Sequence, residues 1–410
     1  MNCELEAAAI RYTAFMPHAF ALAVEIVTTA LTLAGMGYLL ACMVAGRIFL
    51  RERRAPSAEF TPGISILKSL KGLDPGMMDA FRSHCRQSYT GEFELLFGVA
   101  SLDDPAVEAV EQLKAEFPER AIRLIECPER LGTNGKVSTL AQLAAHARYD
   151  FLLINDSDIT VGARYLERVM ACFAPAEDDN GRAAQEVGLV TALYRGRAHG
   201  TLASKFEALG IATDFQAGVL LSKWIEGGLR YGLGSTLAVR REALDKIGGL
   251  QVLVDYLADD YELGARVAGA GYRVALSGEV VETNIAAYGW RGFLEHQLRW
   301  ERTVRDSRPW GYAGLIFTHG LGWALVNLLA SGASVLSLNL LGVSFLLRMA
   351  LAVKVGVEVL GDSQVLPRLW FVPLRDVVAM GVWLAGFAGN TIVWRGERFR
   401  LKGGKLERVS

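Results

Sequence analysis

Charged side chains are missing from three long stretches of this chain and recur regularly elsewhere. Ile26–Gly46 holds no Asp, Glu, Lys or Arg over 21 residues, and about 20 apolar residues suffice to cross a bilayer core. Glu4, Glu6 and Glu25 precede this stretch, and Arg47, Arg51, Arg53 and Arg54 follow it. A cleaved signal peptide competes with a retained anchor, but the stretch is long for one, and its basic cluster comes after rather than before. The positive-inside rule then puts the C-terminal side of the anchor in the cytoplasm.

Gly311–Leu347 is also uncharged. As one helix it would be about 55 Å long, well beyond a core of ~30 Å, so a break near Ser331-Gly332-Ala333-Ser334 is expected. Val377–Trp394 is the third uncharged stretch, with Arg375 and Asp376 at its mouth as candidates for pairing with each other. A basic tail follows: Arg395, Arg398, Arg400, Lys402 and Lys405. Three full crossings would leave that tail outside, against the positive-inside rule. Either one segment lies in the interface or the rule is broken.

Between Thr61 and Arg308 the period changes. Ile64–Leu67, Phe93–Ala100, Ile122–Ile125 and Phe151–Asn155 read as strands. Ala106–Phe117 and Val137–Ala145 have helical spacing. Strand–helix alternation predicts an α/β fold with a mostly parallel, Rossmann-like sheet covered on both faces. The expected organisation is an anchor over residues 1–55, a catalytic domain over 61–308, a membrane region over 311–394 and a basic tail over 395–410. Leu202–Trp224 mixes apolar residues with Lys205, Glu207, Asp214 and Lys223. It fits a helix on the membrane surface or an ordinary core-facing helix equally well.

Composition narrows the picture. The 410 residues are 51% hydrophobic with a formal net charge of −1. A near-neutral chain without a basic stripe gives no support for nucleic acid as a partner. Cys3, Cys42, Cys85, Cys127 and Cys172 show no paired spacing and read as free thiols, and the histidines form no zinc-binding pattern.

Ligands of such sheets bind beyond the carboxyl ends of the strands. The four loops there carry Lys68–Gly72, Asp103-Asp104-Pro105, Gly132–Lys136 and Asp156-Ser157-Asp158. Asp103 or Asp104 suits a uracil ring or a ribose, although Asp-Pro also starts helices. Lys136 suits a phosphate, or is a solvated loop lysine. Asp156 and Asp158 suit a hard divalent cation, Mg²⁺ or Mn²⁺, completed by diphosphate oxygens; capping of a helix over Gly162–Phe173 is the bland alternative. Asp259-Asp260 precedes a helical stretch, Tyr261–Ala270. Adjacent carboxylates raise one another's basicity, which suits a general base, whereas Asp259 alone could be a helix N-terminal charge. Arg299-Trp300 offers a cation for a diphosphate and a wall for a sugar, or simply packs.

These blocks resemble the ceramide glucosyltransferase family, glycosyltransferase family 21, within the inverting GT-A enzymes. The resemblance runs from about Gly63 to Trp310. It is carried by Ile64–Gly72, Leu102–Pro105, Leu131–Leu140, Asp156–Ile159, Gly234–Gly249 and Tyr256–Tyr261. Tyr256–Tyr261 and Glu295–Trp300 look closer to a bacterial branch that glycosylates hopanoid polyols. The resemblance implies that Asp104 and Asp156 fall on the two nucleotide-binding aspartate motifs, Asp260 on the base motif, and Arg299 and Trp300 on the final Arg-Trp. The chain departs from the pattern twice. His296 stands where the final motif begins with Gln or Arg, and Gln297 is one place late. Asp158 completes an Asp-x-Asp where animal ceramide enzymes have Asp-Ser-Gly.

The expected protein is an inner-membrane, multi-pass glycosyltransferase with its catalytic domain in the cytoplasm. Its donor is a UDP-sugar carrying glucose or N-acetylglucosamine. Its acceptor is a membrane lipid, a hopanoid polyol or a ceramide. A processive polysaccharide synthase shares the aspartates but needs a channel that few spans could build. A catalytically dead membrane scaffold is the rival of another class, against which the intact Asp156, Asp158 and Asp260 argue.

Overall fold

In the computed structural model the described residues are 2–54, 59–175, 184–394 and 397–408, with side chains from Phe20 onward. The side chains of Cys3, Glu4 and Glu6, and all of Arg395, lie outside them.

A helix, α1 (Asn2–Arg53), precedes the sheet. The central elements follow as β1 (Ile64–Ser69), α2 (Met77–Cys85), β2 (Phe93–Val99), α3 (Ala106–Glu116), β3 (Ala121–Glu126), α4 (Gly135–Ala144), β4 (Phe151–Ile154), β5 (Ile159–Thr160), α5 (Tyr165–Ala171), β6 (Val187–Ala198), α6 (Leu202–Gly210), a π turn (Ile211–Phe215), α7 (Gln216–Glu226), β7 (Leu237–Arg240), α8 (Arg241–Lys246), α9 (Asp259–Gly269), β8 (Arg273–Ile285) and α10 (Trp290–Ser307). Eight strands form one sheet in the order β3-β2-β1-β4-β7-β6-β8-β5. β7 runs antiparallel to β4 and β6, and β5 antiparallel to β8; the remaining pairings are parallel. The mostly parallel α/β sheet is therefore present.

β1, β2 and β4 are buried almost throughout because both faces are covered, and polar Ser65, Lys68 and Glu94 are enclosed among their apolar residues. Alternate residues enter different cores. Ile66, Leu95 and Leu153 face one core with α2, α3 and α5; Leu67, Leu96 and Leu152 face the other. The second core also takes Leu39, Cys42, Ala45 and Phe49 of α1, so the apolar helix is built into the sheet domain rather than tethered to it.

The remainder comprises α11 (Pro309–Gly314), α12 (Gly320–Ala330), α13 (Val335–Ala352), α14 (Val372–Gly386) and the strands β9 (Thr391–Trp394), β10 (Glu397–Lys402) and β11 (Lys405–Arg408). Among the described residues three helices are long and apolar enough to cross a membrane, Phe20–Arg53, Val335–Val359 and Leu366–Gly386, and a bent pair, Pro309–Phe317 with Gly320–Ala330, could make a fourth. The expected break at Ser331–Ser334 is there, with Gly332 and Ala333 at φ 62° and 61°. Gly35 lets α1 and α12 touch: a Cβ there would lie 2.3 Å from Gly320 Cα.

Three expectations about the C-terminal third change. Val377–Trp394 is not one apolar span, because its helix stops at Gly386 and Thr391–Trp394 is a strand. Arg375 and Asp376 do not pair with each other. Asp376 takes both Nε and Nη2 of Arg348, at 2.8 and 2.9 Å, while Arg375 donates to Gln297 Oε1 at 2.9 Å. Neighbouring residues on a helix point about 100° apart, so each finds its partner on a different helix. The basic tail folds into an antiparallel sheet, β9-β10-β11, docked on the catalytic domain through Leu257. Leu202–Trp224 is a core helix: most of Ala203–Leu221 is buried.

Segment 366–386 starts beside Gln364, which bonds Gly196 O at 2.9 Å, and ends beside Ala388 and Gly389, whose carbonyls accept from Arg302 and Arg305 at 3.0 and 2.8 Å. Both of its ends lie on the catalytic domain. α12 and α13 leave that domain and return as one hairpin, with Asn327 at the Glu25–Thr29 end of α1 and Val359 O at Arg53. The C-terminal sheet packs, through Leu257, against the domain from which that hairpin leaves.

Candidate active site

The loop after β4 is held from below by a buried polar network. Lys68, at the end of β1, is fully enclosed and donates to Asn155 Oδ1 at 2.7 Å and to Asp156 O at 3.0 Å. Burial pulls its ammonium down to about 7, against the nearby Asp158 and Asp156 charges. Asn155 Nδ2 continues to His84 Nε2 at 3.1 Å, and Ser157 Oγ donates to Asp74 Oδ2 at 2.5 Å. The sequence places Lys68 at the start of the Lys68–Gly72 loop without marking a role for it, because its burial depends on the whole sheet.

Above this floor the acidic residues meet one lysine. Lys136, in the first turn of α4, lies 2.9 Å from Asp156 Oδ1 and 3.2 Å from Asp259 Oδ2. Burial would lower its ammonium, but the two carboxylates outweigh it and hold the group above its ordinary range. Lys136 is thus no solvated loop lysine, and Asp259 is more than a helix-terminal charge. Asn134 caps α4 by accepting from Val137 N at 3.2 Å, so the cap at the helix start sets where Lys136 begins.

Asp260 sits at the start of α9. Its Oδ2 accepts from Gly234 N and its Oδ1 from Tyr261 N, both at 2.8 Å. The approach is close: a Cβ at position 234 would lie 3.2 Å from Asp260 Oδ2, so a larger residue there would push the carboxylate by a few tenths of an ångström. Burial, then the Asp259 charge, push the Asp260 carboxyl up to about 6. Asp259 is raised too, by burial that outweighs Lys136.

Asp158 turns from Asp156 toward β8, accepting from Thr283 Oγ1 at 2.6 Å. Burial, then the neighbouring Asp156, push it up to about 6. A divalent cation would relieve this pair of carboxylates, of which Asp156 is 44% exposed at its side chain. Among the described residues no three His, Cys, Asp or Glu converge on a cation position. The donor set therefore fits an open site finished by diphosphate oxygens and water, not a closed structural site.

Asp104 is committed to the backbone: Oδ1 accepts from Ala106 N at 2.9 Å, and both oxygens accept from Gly72 N. It clamps the loops after β1 and β2 together and starts α3, leaving exposed Asp103 beside it. Arg299 and Trp300 lie on α10, half-buried. Trp300 packs 4.9 Å from the His296 ring and 6.2 Å from Phe215. His296 is the motif residue turned toward this aromatic wall, whereas Gln297 points away to Arg375. Tyr194, on β6, was missed because β6 gave no clear strand signal. Its ring lies 5.8 Å from that of Phe215, tilted by 48°.

A mostly parallel sheet with acidic loops at its strand ends defines a GT-A-type glycosyltransferase fold. A solved structure of that fold, the mannosyltransferase PcManGT from Pyrobaculum calidifontis in complex with GDP-Man and Mn²⁺, superposes with a TM-score of 0.52 at 18% identity, covering 89% of this chain and 97% of that one. The model of Glycosyl transferase family 21 matches residues 27–407, and the chain belongs to that family. Ceramide glucosyltransferase 3 of Caenorhabditis elegans is 27% identical over 58% of this chain and 50% of its own length. Ceramide glucosyltransferase 1 of the same animal is 24% identical over 85% of this chain and 74% of its own. The chain thus spans about half of the first relative and about three quarters of the second.

Proposed function

We propose that this glycosyltransferase moves one sugar from a UDP-sugar to a hydroxyl of a membrane lipid, a hopanoid polyol or a ceramide, with inversion at the anomeric carbon. The observation that carries the reading is the Lys136–Asp156–Asp259 cluster with Asp260 beside it. Lys136 supplies positive charge where the diphosphate departs, and Asp156 and Asp158 are the residues that would hold the divalent cation. When bound, that cation neutralises negative charge building on the leaving UDP. Asp103 and Asp104 line the neighbouring loop, which suits the uracil and ribose.

Asp260 takes the acceptor proton. Each of its oxygens already accepts one backbone N–H and keeps a lone pair for an incoming hydroxyl. A carboxyl raised to about 6 is ionised at neutral pH yet more basic than an ordinary aspartate. The acceptor oxygen bonds to the anomeric carbon as the bond from that carbon to the diphosphate breaks. The proton passes to Asp260, and UDP leaves with the bonding pair. Arg299 offers a cation for the diphosphate, and Trp300 a wall for the sugar.

The apolar helices and the names of the relatives support a lipid acceptor reached by lateral diffusion. The arginines at the C-terminal end of α1 support a cytoplasmic catalytic domain at the bacterial inner membrane. Purified enzyme given labelled UDP-glucose or UDP-N-acetylglucosamine with each lipid tests the reading. Mass spectrometry should find the lipid bearing one sugar. A ladder of products, or transfer only to soluble oligosaccharide, overturns it.

A further inference from the structure

We infer that α11 and the end of α7 seat the catalytic domain on an anionic lipid surface. Trp224, Ile225 and Trp310 enter the membrane interface, Arg230 and Arg308 take lipid phosphates, and the seat steadies the loop that holds Asp260. The seat itself does not depend on the function proposed above; its effect on turnover rests on Asp260 being the base.

Three large apolar side chains are exposed where α7 ends and α11 begins: Trp224, Ile225 at 71% and Trp310 at 90%. A patch of this kind marks a surface that something apolar covers. Two features fix its height. Lys223, beside Trp224, pairs with Glu52 in the last turn of α1, where a helix long enough to span ends. Trp310 opens the segment Pro309–Phe317, which is bent by 54° from α12 and so turns away from it instead of continuing it. Tryptophan rings at the ends of spans settle between headgroups and acyl chains.

The charges beside this rim are unbalanced. Glu226 faces two guanidiniums, Arg308 Nη2 at 3.5 Å and Arg230 Nε at 4.0 Å. One carboxylate neutralises only one of them, and both arginines are exposed. The surplus positive charge suits a phosphate. An anionic lipid surface supplies phosphates next to the apolar layer that the rings need, whereas free phosphate supplies no apolar layer.

The seat reaches the chemistry through one short loop. Gly227, at φ 68°, turns the chain out of α7, and Arg230 to Gly234 then run along the base. The Tyr231 ring stacks 6.2 Å from that of Tyr261, the neighbour of Asp260. Gly232 N donates to Asp260 O at 3.3 Å, and Gly234 N to its Oδ2 at 2.8 Å. A phosphate that fixes Arg230 therefore fixes the amides that position the carboxylate.

The test uses the full chain in lipid nanodiscs holding one copy each, so that no second copy covers the patch. Nitroxide labels on Ile225→Cys and Trp310→Cys should meet oxygen more than a water-soluble nickel chelate. A label on Glu111→Cys, on α3 at the other face of the sheet, should do the reverse. Labels at Ile225 and Trp310 that prefer the chelate overturn the seat. With phosphatidylglycerol added, the wild type should turn over about fivefold faster than in phosphatidylcholine alone, the value of one guanidinium at an anionic surface, with UDP-sugar KM unchanged. Arg230→Gln with Arg308→Gln should abolish that rise. Glu226→Gln breaks the same ion pairs but keeps both arginines, so it should keep the rise. If it loses the rise as the arginine variant does, the ion pairs matter and the lipid does not. A rise that survives loss of both arginines, or that inorganic phosphate reproduces in phosphatidylcholine discs, also overturns the inference. No transfer in any disc is a different failure, which removes the proposed function and leaves the labels to decide the seat.

Discussion

Asp260 shows how a single residue is tuned by its surroundings. Two backbone N–H groups favour its ionised form, yet burial and Asp259 prevail and raise it to about 6. The protonated carboxyl cannot take the acceptor proton. Transfer should therefore rise with pH through about 6 and level off above it, as a pH–rate profile of kcat/KM will show. Asp260→Asn should lower kcat by roughly 10²–10⁴-fold while UDP-sugar binding, read by calorimetry, stays close to wild type. Near-normal turnover in the folded variant would remove Asp260 as the base. Asp156 and Asp158 yield a second prediction. Excess chelator should stop transfer and Mg²⁺ or Mn²⁺ should restore it, with Asp156→Asn and Asp158→Asn needing more metal for half activity. Full turnover in chelator would leave Lys136 to carry the phosphate charge. The aspartate motifs were legible because their residue types and spacing are local. The Lys136–Asp259 pair was not, because 123 positions apart in the numbering of these residues become 3.2 Å only after folding.

Among the elements, the β9-β10-β11 sheet joins two arms of the site. On one side Arg302 donates to Thr391 O at 2.5 Å and Asp306 accepts from Gly404 N. These residues end α10, the helix of Arg299 and Trp300. On the other side Leu406 N bonds Asp255 O at 2.8 Å and Leu257 N bonds Gly404 O at 3.2 Å. The Tyr256 ring lies between Arg266 and Lys405, at 5.1 and 5.4 Å. This loop leads into Asp259 and Asp260. Its Asp255 carboxylate also takes Thr133 N at 3.0 Å, just ahead of Lys136. Asp306→Ala and Leu406→Asp should then lower kcat about tenfold or more with little change in UDP-sugar affinity, since a misplacement of about 1 Å can cost 10²-fold. Unchanged kcat in steady-state assays would reduce the sheet to a surface ornament. Positive charge alone made these residues read as a tail. Their alternation, with Phe399, Leu401 and Leu406 inward, becomes meaningful only beside Leu257.

For the whole molecule, the hairpin of α12 and α13 and the return of segment 366–386 to the catalytic domain predict sidedness. Ala333→Cys, in the hairpin turn, should react with a membrane-impermeant thiol reagent only from the side opposite the catalytic domain. Ala388→Cys should react only from the catalytic side. The described native cysteines are buried or half-buried, so background labelling should be low. Labelling of both sites from one face would overturn this topology. The sequence by itself determined the apolar stretches, the runs of β1, β2 and β4, and the loops that bear the aspartates. Each is set by neighbours within a few residues, where periodicity and turn chemistry act. Tertiary structure decided the pairing of β6 with β8, whose 12 and 13 residues mix charges into the strand pattern. It also decided which apolar helix returns to its starting side, and that His296 rather than Gln297 faces the aromatic wall. Those outcomes depend on which distant surface each face meets, and a local pattern of polar and apolar residues carries no record of that partner.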